Sequence, residues 1–179
     1  MLNPKNTALV IIDVQGKLAR IMQKADDLFI NLGMLIKGAR LLKVPIIWME
    51  QLPDKLGSTV AEVSEHLDGI QPIVKGVFSC VQNDKFNATL DEMNPDNVVL
   101  AGIETHICVY QTTMDLLAKD YNVEVVADAT STRLEHNKEI GLEKIRRAGG
   151  QITSVETALF EFQIKATGDQ FKQLIEIIK

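Results

Sequence analysis

The sequence predicts an α/β domain in which a largely parallel sheet lies between layers of helices. Short, wholly apolar runs, typical of strands buried on both faces, alternate along the chain with stretches of helical periodicity. The chain has 179 residues, and a domain of ~150 residues buries about 70% of its unfolded surface without needing a disulfide or a metal. We therefore expect a single domain over residues 1–179.

Six segments are predicted to be strands. The first, 8–12, is five apolar residues in succession and stops at Asp13. Pro45 breaks the preceding helix and opens the second strand. The second strand, 46–49, and the fourth, 98–101, are likewise apolar, and the fifth, 123–127, contains one charged residue. The segments 72–75 and 151–154 have a weaker apolar pattern and are predicted to be the third and sixth strands.

Helices are predicted between these strands. In the first, apolar residues recur every three or four positions from Leu28 to Leu42, with Asp26 or Asp27 as the N-cap. Residues 51–59 contain Pro and Gly and are predicted to be a loop. Further helices are predicted at 60–67, 84–93, 105–119 and 136–148, the last stopped by two glycines. A final helix has an apolar face, expected to cover the sheet, made of Phe171, Leu174, Ile177 and Ile178.

Composition excludes several classes of protein. The chain is 46% hydrophobic with a net charge of −5, which disfavours a disordered chain and a basic nucleic-acid footprint. No apolar stretch reaches the ~18 residues of a membrane span. The N-terminus lacks the apolar core of a signal peptide, so we expect a cytoplasmic protein whose two cysteines, Cys80 and Cys108, are reduced.

Three residues stand at the carboxyl ends of predicted strands, where ligands bind in such sheets. Asp13 follows the first strand, Lys75 ends the third, and Cys108 lies in the turn after the fourth. A lysine and a helix start both favour a thiolate, and a carboxylate can take the thiol proton and return it to a leaving group. Together they could form a nucleophilic site.

Each of these residues also has an ordinary structural interpretation. Cysteine is among the most buried residue types, an Asp after a strand is commonly a turn residue, and a single lysine is usually solvated. Cys80 is interpreted as a core or cavity-wall residue. None of the three histidines stands at metal-ligand spacing from another His or Cys, so no metal site is predicted.

The chain resembles the isochorismatase-like cysteine hydrolase superfamily, and within it the isochorismatase-domain-containing proteins of undefined substrate. The resemblance covers about residues 7–160. The most specific segment is Gly–Ile–Glu–Thr–His–Ile–Cys–Val at 102–109. The other matching segments, which fall in the family's order, are 9–15, 50–53, 56–59, 75–79 and 126–129.

This resemblance implies a Rossmann-like, three-layer αβα sandwich with a six-stranded, mostly parallel sheet. It implies a catalytic triad of Asp13, Lys75 and Cys108. It also implies a non-proline cis peptide between Ile103 and Glu104, which would aim the N–H groups of Glu104 and Cys108 at a developing oxyanion.

Two departures from the superfamily's patterns narrow the expected activity. Metal-binding nicotinamidases carry an Asp-x-His and a further His after the second strand, whereas this chain has Glu50-Gln51-Leu52-Pro53. Enzymes that cleave isochorismate itself lack the cysteine. We therefore expect neither nicotinamidase nor isochorismatase activity, and no metal or other cofactor.

The predicted function is hydrolysis of a small amide-like C–N bond through a thioester on Cys108. A catalytically silent scaffold or binding protein and a redox-sensing thiol are the alternatives. The family likeness also favours a homo-oligomer. Residues expected in the pocket wall, from their positions beside the motifs, are Gln15, Gln51, Phe78, His106 and Ile107.

Overall fold

The computed structural model describes residues 1–179, and its strands form one six-stranded sheet in the order β3-β2-β1-β4-β5-β6. Every neighbouring pair of strands is parallel, which confirms the predicted fold class. The strands are β1 (Thr7–Ile12), β2 (Ile46–Gln51), β3 (Ile73–Lys75), β4 (Asn97–Ile103), β5 (Asn122–Ser131) and β6 (Gln151–Thr153).

Nine helices surround the sheet. They are α1 (Gly16–Arg20), α2 (Ala25–Leu41), α3 (Pro53–Leu56), α4 (Ala61–Ser64), α5 (Asp84–Met93), α6 (Tyr110–Leu117), α7 (Glu135–Arg147), α8 (Val155–Gln163) and α9 (Asp169–Ile178). A 3₁₀ turn at Cys80–Gln82 and a π-helical turn at Thr105–Val109 complete the regular structure. None of these helices is long and apolar enough to span a bilayer.

The apolar runs form strands because each strand is covered on both faces. Alternate residues of β1 point to opposite sides, so Leu9 and Ile11 join one core cluster while Val10 and Ile12 join the other. Buried residues of α2, α8 and α9 complete the first cluster, and those of α5, α6 and α7 complete the second. Two apolar cores thus hold the sheet between its helical layers.

The final helix packs on α2, whereas the sequence predicted that it would cover the sheet. Leu174 of α9 is buried in the same core cluster as Leu32 and Leu35 of α2. Gln170 adds a hydrogen bond from its side-chain amide to the carbonyl of Leu41 at 3.1 Å. The apolar face of α9 therefore covers α2 rather than a free surface.

Several local predictions are wrong. The N-cap of α2 is Lys24 in the left-handed conformation, while Asp26 and Asp27 lie in the first turn, where the helix dipole favours acidic side chains. The predicted loop at 51–59 contains the one-turn α3. The helices α1 and α8 were not predicted, and the expected helix at 105–119 begins as a π-helical turn and continues as α6.

β2 and β3 follow β1 on one side of the sheet, whereas β4, β5 and β6 follow on the other side. The strand order therefore switches between β1 and β4, which are central and hydrogen-bonded to each other. Ligand sites in open α/β sheets form at such a switch point, beyond the carboxyl ends of the strands. Gly102 sits beside Ile12 in this register with φ 137°, and a Cβ there would meet the Ile12 carbonyl oxygen at 2.1 Å. The close approach of β1 and β4 at the site thus requires glycine.

We expect Gly102→Ala to lower the free energy of unfolding by more than about 3 kcal/mol, because strain at positive φ adds to a backbone clash. Gly149→Ala is the matched control: its φ is 102°, but nothing lies within 4 Å of the added Cβ. It should cost only about 1–2 kcal/mol. Urea unfolding of both variants measures the difference, and equal losses would contradict the close-approach argument.

Candidate active site

The carboxyl ends of three strands place three reactive side chains at one edge of the sheet. Asp13 directly follows β1, Lys75 is the last residue of β3, and Cys108 lies in the π-helical turn after β4. The parallel register aligns these ends because all strands point the same way. Residues separated by up to 95 positions in the sequence are thereby brought to one site.

Lys75 is the buried centre of this site, with a side chain that is 0% exposed. Its ammonium donates to Asp13 Oδ2 at 2.6 Å and to Gln51 Oε1 at 2.9 Å. The carbonyl oxygens of Val77 and Phe78 also accept from it, at 3.0 and 3.1 Å. Four oxygen acceptors around one nitrogen offset the cost of burying a charge.

Asp13 has one oxygen paired and one free. Oδ2 accepts from Lys75, while the buried Oδ1 has no hydrogen-bond partner. Burial raises the pKa of the Asp13 carboxyl, and the adjacent Lys75 charge only partly opposes that effect. A carboxylate with a raised pKa and a free oxygen is better suited to accept a proton than a solvated one.

Cys108 is a buried, neutral thiol in the resting protein. Burial, followed by the negative charge of Asp13, raises its pKa, and Lys75 only partly compensates. This direction is opposite to the lowered pKa that a lysine and a helix start led us to expect. The second cysteine, Cys80, is also a free buried thiol, and burial raises its pKa to about 12. A proton acceptor is therefore needed to make Cys108 nucleophilic.

A cavity of about 250 Å³ opens onto Asp13 and Cys108. Of the expected wall residues, Gln51, Phe78 and Ile107 line it. Ile103 and Glu104, which were expected at the oxyanion turn, also line it. The lining residues that the sequence did not indicate are Leu18, Leu56 and Arg133. The cavity is therefore small and mostly apolar, with two acidic side chains, Asp13 and Glu104, and one cationic side chain, Arg133, in its wall.

Gln15 and His106, expected in the wall, lie outside the cavity. Gln15 is fully buried, and its side-chain amide clamps the backbone of Gln51 and the carbonyl of Gly57. The backbone of His106 packs closely against Gly141 of α7, and its ring lies 3.3 Å from Glu104. Sequence proximity to a motif did not reveal which way these side chains point.

The peptide bond between Ile103 and Glu104 is trans, contrary to the expectation from the family resemblance. Glu104 instead adopts the left-handed conformation, with φ 55° and ψ 60°. This single residue redirects the chain from β4 into the π-helical turn. Its backbone N–H donates to no backbone or side-chain acceptor.

Glu104 and Arg133 form an ion pair at the cavity wall that the sequence analysis missed. The Arg133 Nε donates to Glu104 Oε1 at 2.5 Å, and the Arg133 side chain is 52% exposed. The sequence signal that could have placed Arg133 at the cavity is its position just beyond the end of β5. It was overlooked because β5 continues to Ser131, four residues past its predicted end.

No group of three or more His, Cys, Asp or Glu side chains is arranged to hold a metal ion. The site instead combines a buried carboxylate, an ammonium and a thiol at an apolar cavity. An α/β fold with these groups at its switch point defines the class of cysteine hydrolase-like proteins.

Comparison with known proteins identifies the family. A model of the Isochorismatase domain matches residues 7–157, and the chain belongs to the isochorismatase family. Two curated relatives are the "Secreted isochorismatase effector Isc1" of Phytophthora sojae and the "Isochorismatase domain-containing protein 2A" of Mus musculus. The first is 36% identical over 98% of this chain and 86% of that protein. The second is 33% identical over 98% of this chain and 84% of that protein.

Solved structures agree with this assignment. A structure described as the MAR1 ribonuclease from Caenorhabditis elegans superposes with a TM-score of 0.93 and 34% identity. The match covers 99% of this chain and 91% of that one. The fold of the present chain is thus the fold of its family.

We expect Asp13→Asn to speed alkylation of Cys108 by iodoacetamide at neutral pH. The Asp13 charge raises the thiol pKa, so its removal lowers that pKa and leaves the Lys75 charge to favour the thiolate. Each pKa unit changes the thiolate fraction about tenfold. Peptide mass spectrometry over a pH series measures the rate, with Asp91→Asn, on the exposed face of α5, as the control. Slower alkylation in Asp13→Asn would contradict the assigned electrostatics.

Proposed function

We propose that this chain hydrolyses a small amide-like C–N bond, with Asp13, Lys75 and Cys108 as its catalytic triad. The observation that carries the proposal is that a free carboxylate oxygen and a thiol face one mostly apolar cavity, with the buried Lys75 ammonium paired to that carboxylate. The matching family model supports a hydrolase of the isochorismatase family.

The first half of the reaction forms a thioester. Asp13 Oδ1 takes the Cys108 proton as the sulfur attacks the carbonyl carbon, and the carbonyl oxygen becomes an oxyanion. We assign two backbone N–H groups, the unpaired one of Glu104 and that of Cys108, as the donors that stabilise this oxyanion. When the C–N bond breaks, Asp13 returns the proton to the leaving nitrogen.

The second half releases the acid. A water attacks the thioester and gives its proton to Asp13; the C–S bond breaks, and the proton returns to sulfur. Lys75 stays charged throughout and stabilises Asp13 in its ionised state. Because side chains supply the base, the charge and the nucleophile, the proposed mechanism needs no metal or other cofactor.

The cavity also suggests which amides to test. Its apolar side chains suit a short hydrocarbon body, and Arg133 is the cation in its wall. A useful panel therefore pairs small neutral amides with the same amides carrying a carboxylate. RNA belongs in the panel as well, because the C. elegans protein is described as a ribonuclease. We expect no RNA cleavage, since the chain carries a net charge of −5.

We expect Cys108→Ala to lower the turnover of any active amide by at least about 10³-fold, because the nucleophile is removed. Cys80→Ala is the control and should retain turnover. Acid-quenched wild-type protein should carry an acyl group on Cys108 by mass spectrometry, and a chelator should leave the rate unchanged. Parent-rate hydrolysis by Cys108→Ala would exclude the covalent mechanism. The absence of both turnover and adduct across the panel would favour the silent-scaffold alternative.

We further propose that the chain forms homo-oligomers through the open edge of the sheet at β3. Exposed apolar side chains gather there, namely Leu52, Val74, Val77 and Phe78, and an unpaired edge strand is a common contact. A structure of the YcaC product from Escherichia coli, which shares the fold, is described as an octameric hydrolase.

Light scattering after size exclusion should therefore give a multiple of 19.9 kDa. We expect Val74→Lys to lower that mass because it places a charge on the proposed contact. Ile164→Lys, at an exposed apolar residue away from β3, should leave it unchanged. A wild-type protein that elutes as a monomer would contradict the proposal.

The proposed location is the cytoplasm, where reducing conditions keep the Cys80 and Cys108 thiols free. The Phytophthora relative is named as a secreted protein, so location does not follow from family membership. Recovery of the native protein with a disulfide would contradict a cytoplasmic location.

A further inference from the structure

Gln51 touches two of the three proposed catalytic groups. Its side-chain oxygen, Oε1, accepts from Lys75 Nζ at 2.9 Å and from Cys108 Sγ at 3.6 Å. Two donors converging on one atom require an oxygen there, because an amide NH₂ would face the Lys75 ammonium. The network therefore assigns the amide orientation, with Oε1 towards the triad.

The backbone of Gln51 is held on both sides. Leu52, the next residue, donates its N–H to the Lys75 carbonyl at 3.0 Å. Gln15 Oε1 accepts from the Gln51 N–H at 2.6 Å, and Gln15 Nε2 donates to the Gln51 carbonyl at 3.1 Å. Gln15 is itself fully buried. Gln51 is thus a rigid acceptor rather than a mobile wall residue.

We propose that Gln51 is a positioning residue that holds the resting thiol hydrogen of Cys108 and the ammonium of Lys75 on one oxygen. This role rests on the proposed hydrolase function and deepens it. Asp13 also lies within hydrogen-bond reach of the Cys108 thiol. Directing the S–H at Gln51 therefore leaves Asp13 Oδ1 unpartnered and available as the base. The sulfur is then held beside its base, and the proton passes to Asp13 only as the sulfur attacks.

Three substitutions separate positioning from simple filling of space. Gln51→Met keeps a similar volume but removes the acceptor, and we expect kcat to fall by about 10²-fold with a smaller change in KM, as for a misplaced reacting group. Gln51→Glu keeps an acceptor oxygen, so its kcat should exceed that of Gln51→Met. The added negative charge of Gln51→Glu should move the pH dependence of kcat to higher pH. The control, Gln151→Met at the exposed start of β6, should leave kcat and KM unchanged.

A space-filling role predicts the reverse order, with Gln51→Met near the wild type and Gln51→Glu the weakest. That order would overturn the proposal. Comparison of Gln51→Glu with Gln51→Met at each pH keeps the effect of added charge separate from the loss of the acceptor.

The infrared S–H stretch tests the same contact without any substrate. The difference between wild type and Cys108→Ala identifies the Cys108 band, since Cys80 is the only other thiol. Gln51→Met should move this band to higher frequency because the hydrogen bond is lost, and Gln51→Glu to lower frequency because a carboxylate is a stronger acceptor.

A band that does not move in Gln51→Met, or that moves only in Asp13→Asn, would place the hydrogen elsewhere and overturn the proposal. If wild type hydrolyses no amide, the proposed function fails, yet the infrared bands still decide whether Gln51 holds the thiol. The two failures are therefore distinguishable.

Discussion

The buried ion pair between Asp13 and Lys75 is the interaction on which the site depends. Loss of one partner of such a pair typically costs about 3–5 kcal/mol, because the other charge is left buried without compensation. Here the pair also joins β1 to β3 across β2. The ammonium is shared with Gln51 and with the carbonyls of Val77 and Phe78. The chain after β3 is therefore held by the same charge that stabilises the carboxylate.

The fold makes this arrangement possible because parallel strands deliver their last residues to one edge. β1 and β4 run side by side through the two core clusters, and Gly102 lets them approach closely where they end. Asp13 and Glu104, which both have positive φ, then turn the segments after β1 and β4 towards the cavity. Left-handed backbone is costly for residues with a Cβ, and here it occurs directly after β1 and β4, two of the three strands whose ends form the site.

The sequence predicted those features that depend on local pattern. Apolar runs identified β1, β2 and β4 most clearly, and weaker patterns located β3, β5 and β6. Strand ends together with the family motifs identified Asp13, Lys75 and Cys108 as candidates. What failed depends on long-range geometry. The side chain of Gln15 turns inward to clamp β2, Glu104 turns the chain with a trans peptide, and Arg133 reaches the cavity from the extended β5. None of these directions is encoded by spacing within a motif.

The raised thiol pKa changes how the site is understood. From the sequence, a lysine and a helix start near Cys108 were expected to favour the thiolate, but burial and the Asp13 charge outweigh them. Lys75 acts mainly on Asp13, at 2.6 Å, rather than on the sulfur. A neutral resting thiol has a consequence for selectivity, because a permanently charged sulfur would react with any small electrophile that entered the cavity. In the proposed mechanism, the thiol loses its proton to Asp13 only during attack on a carbonyl that is already correctly placed. The same burial that disfavours the thiolate would then restrict the chemistry to bound substrate.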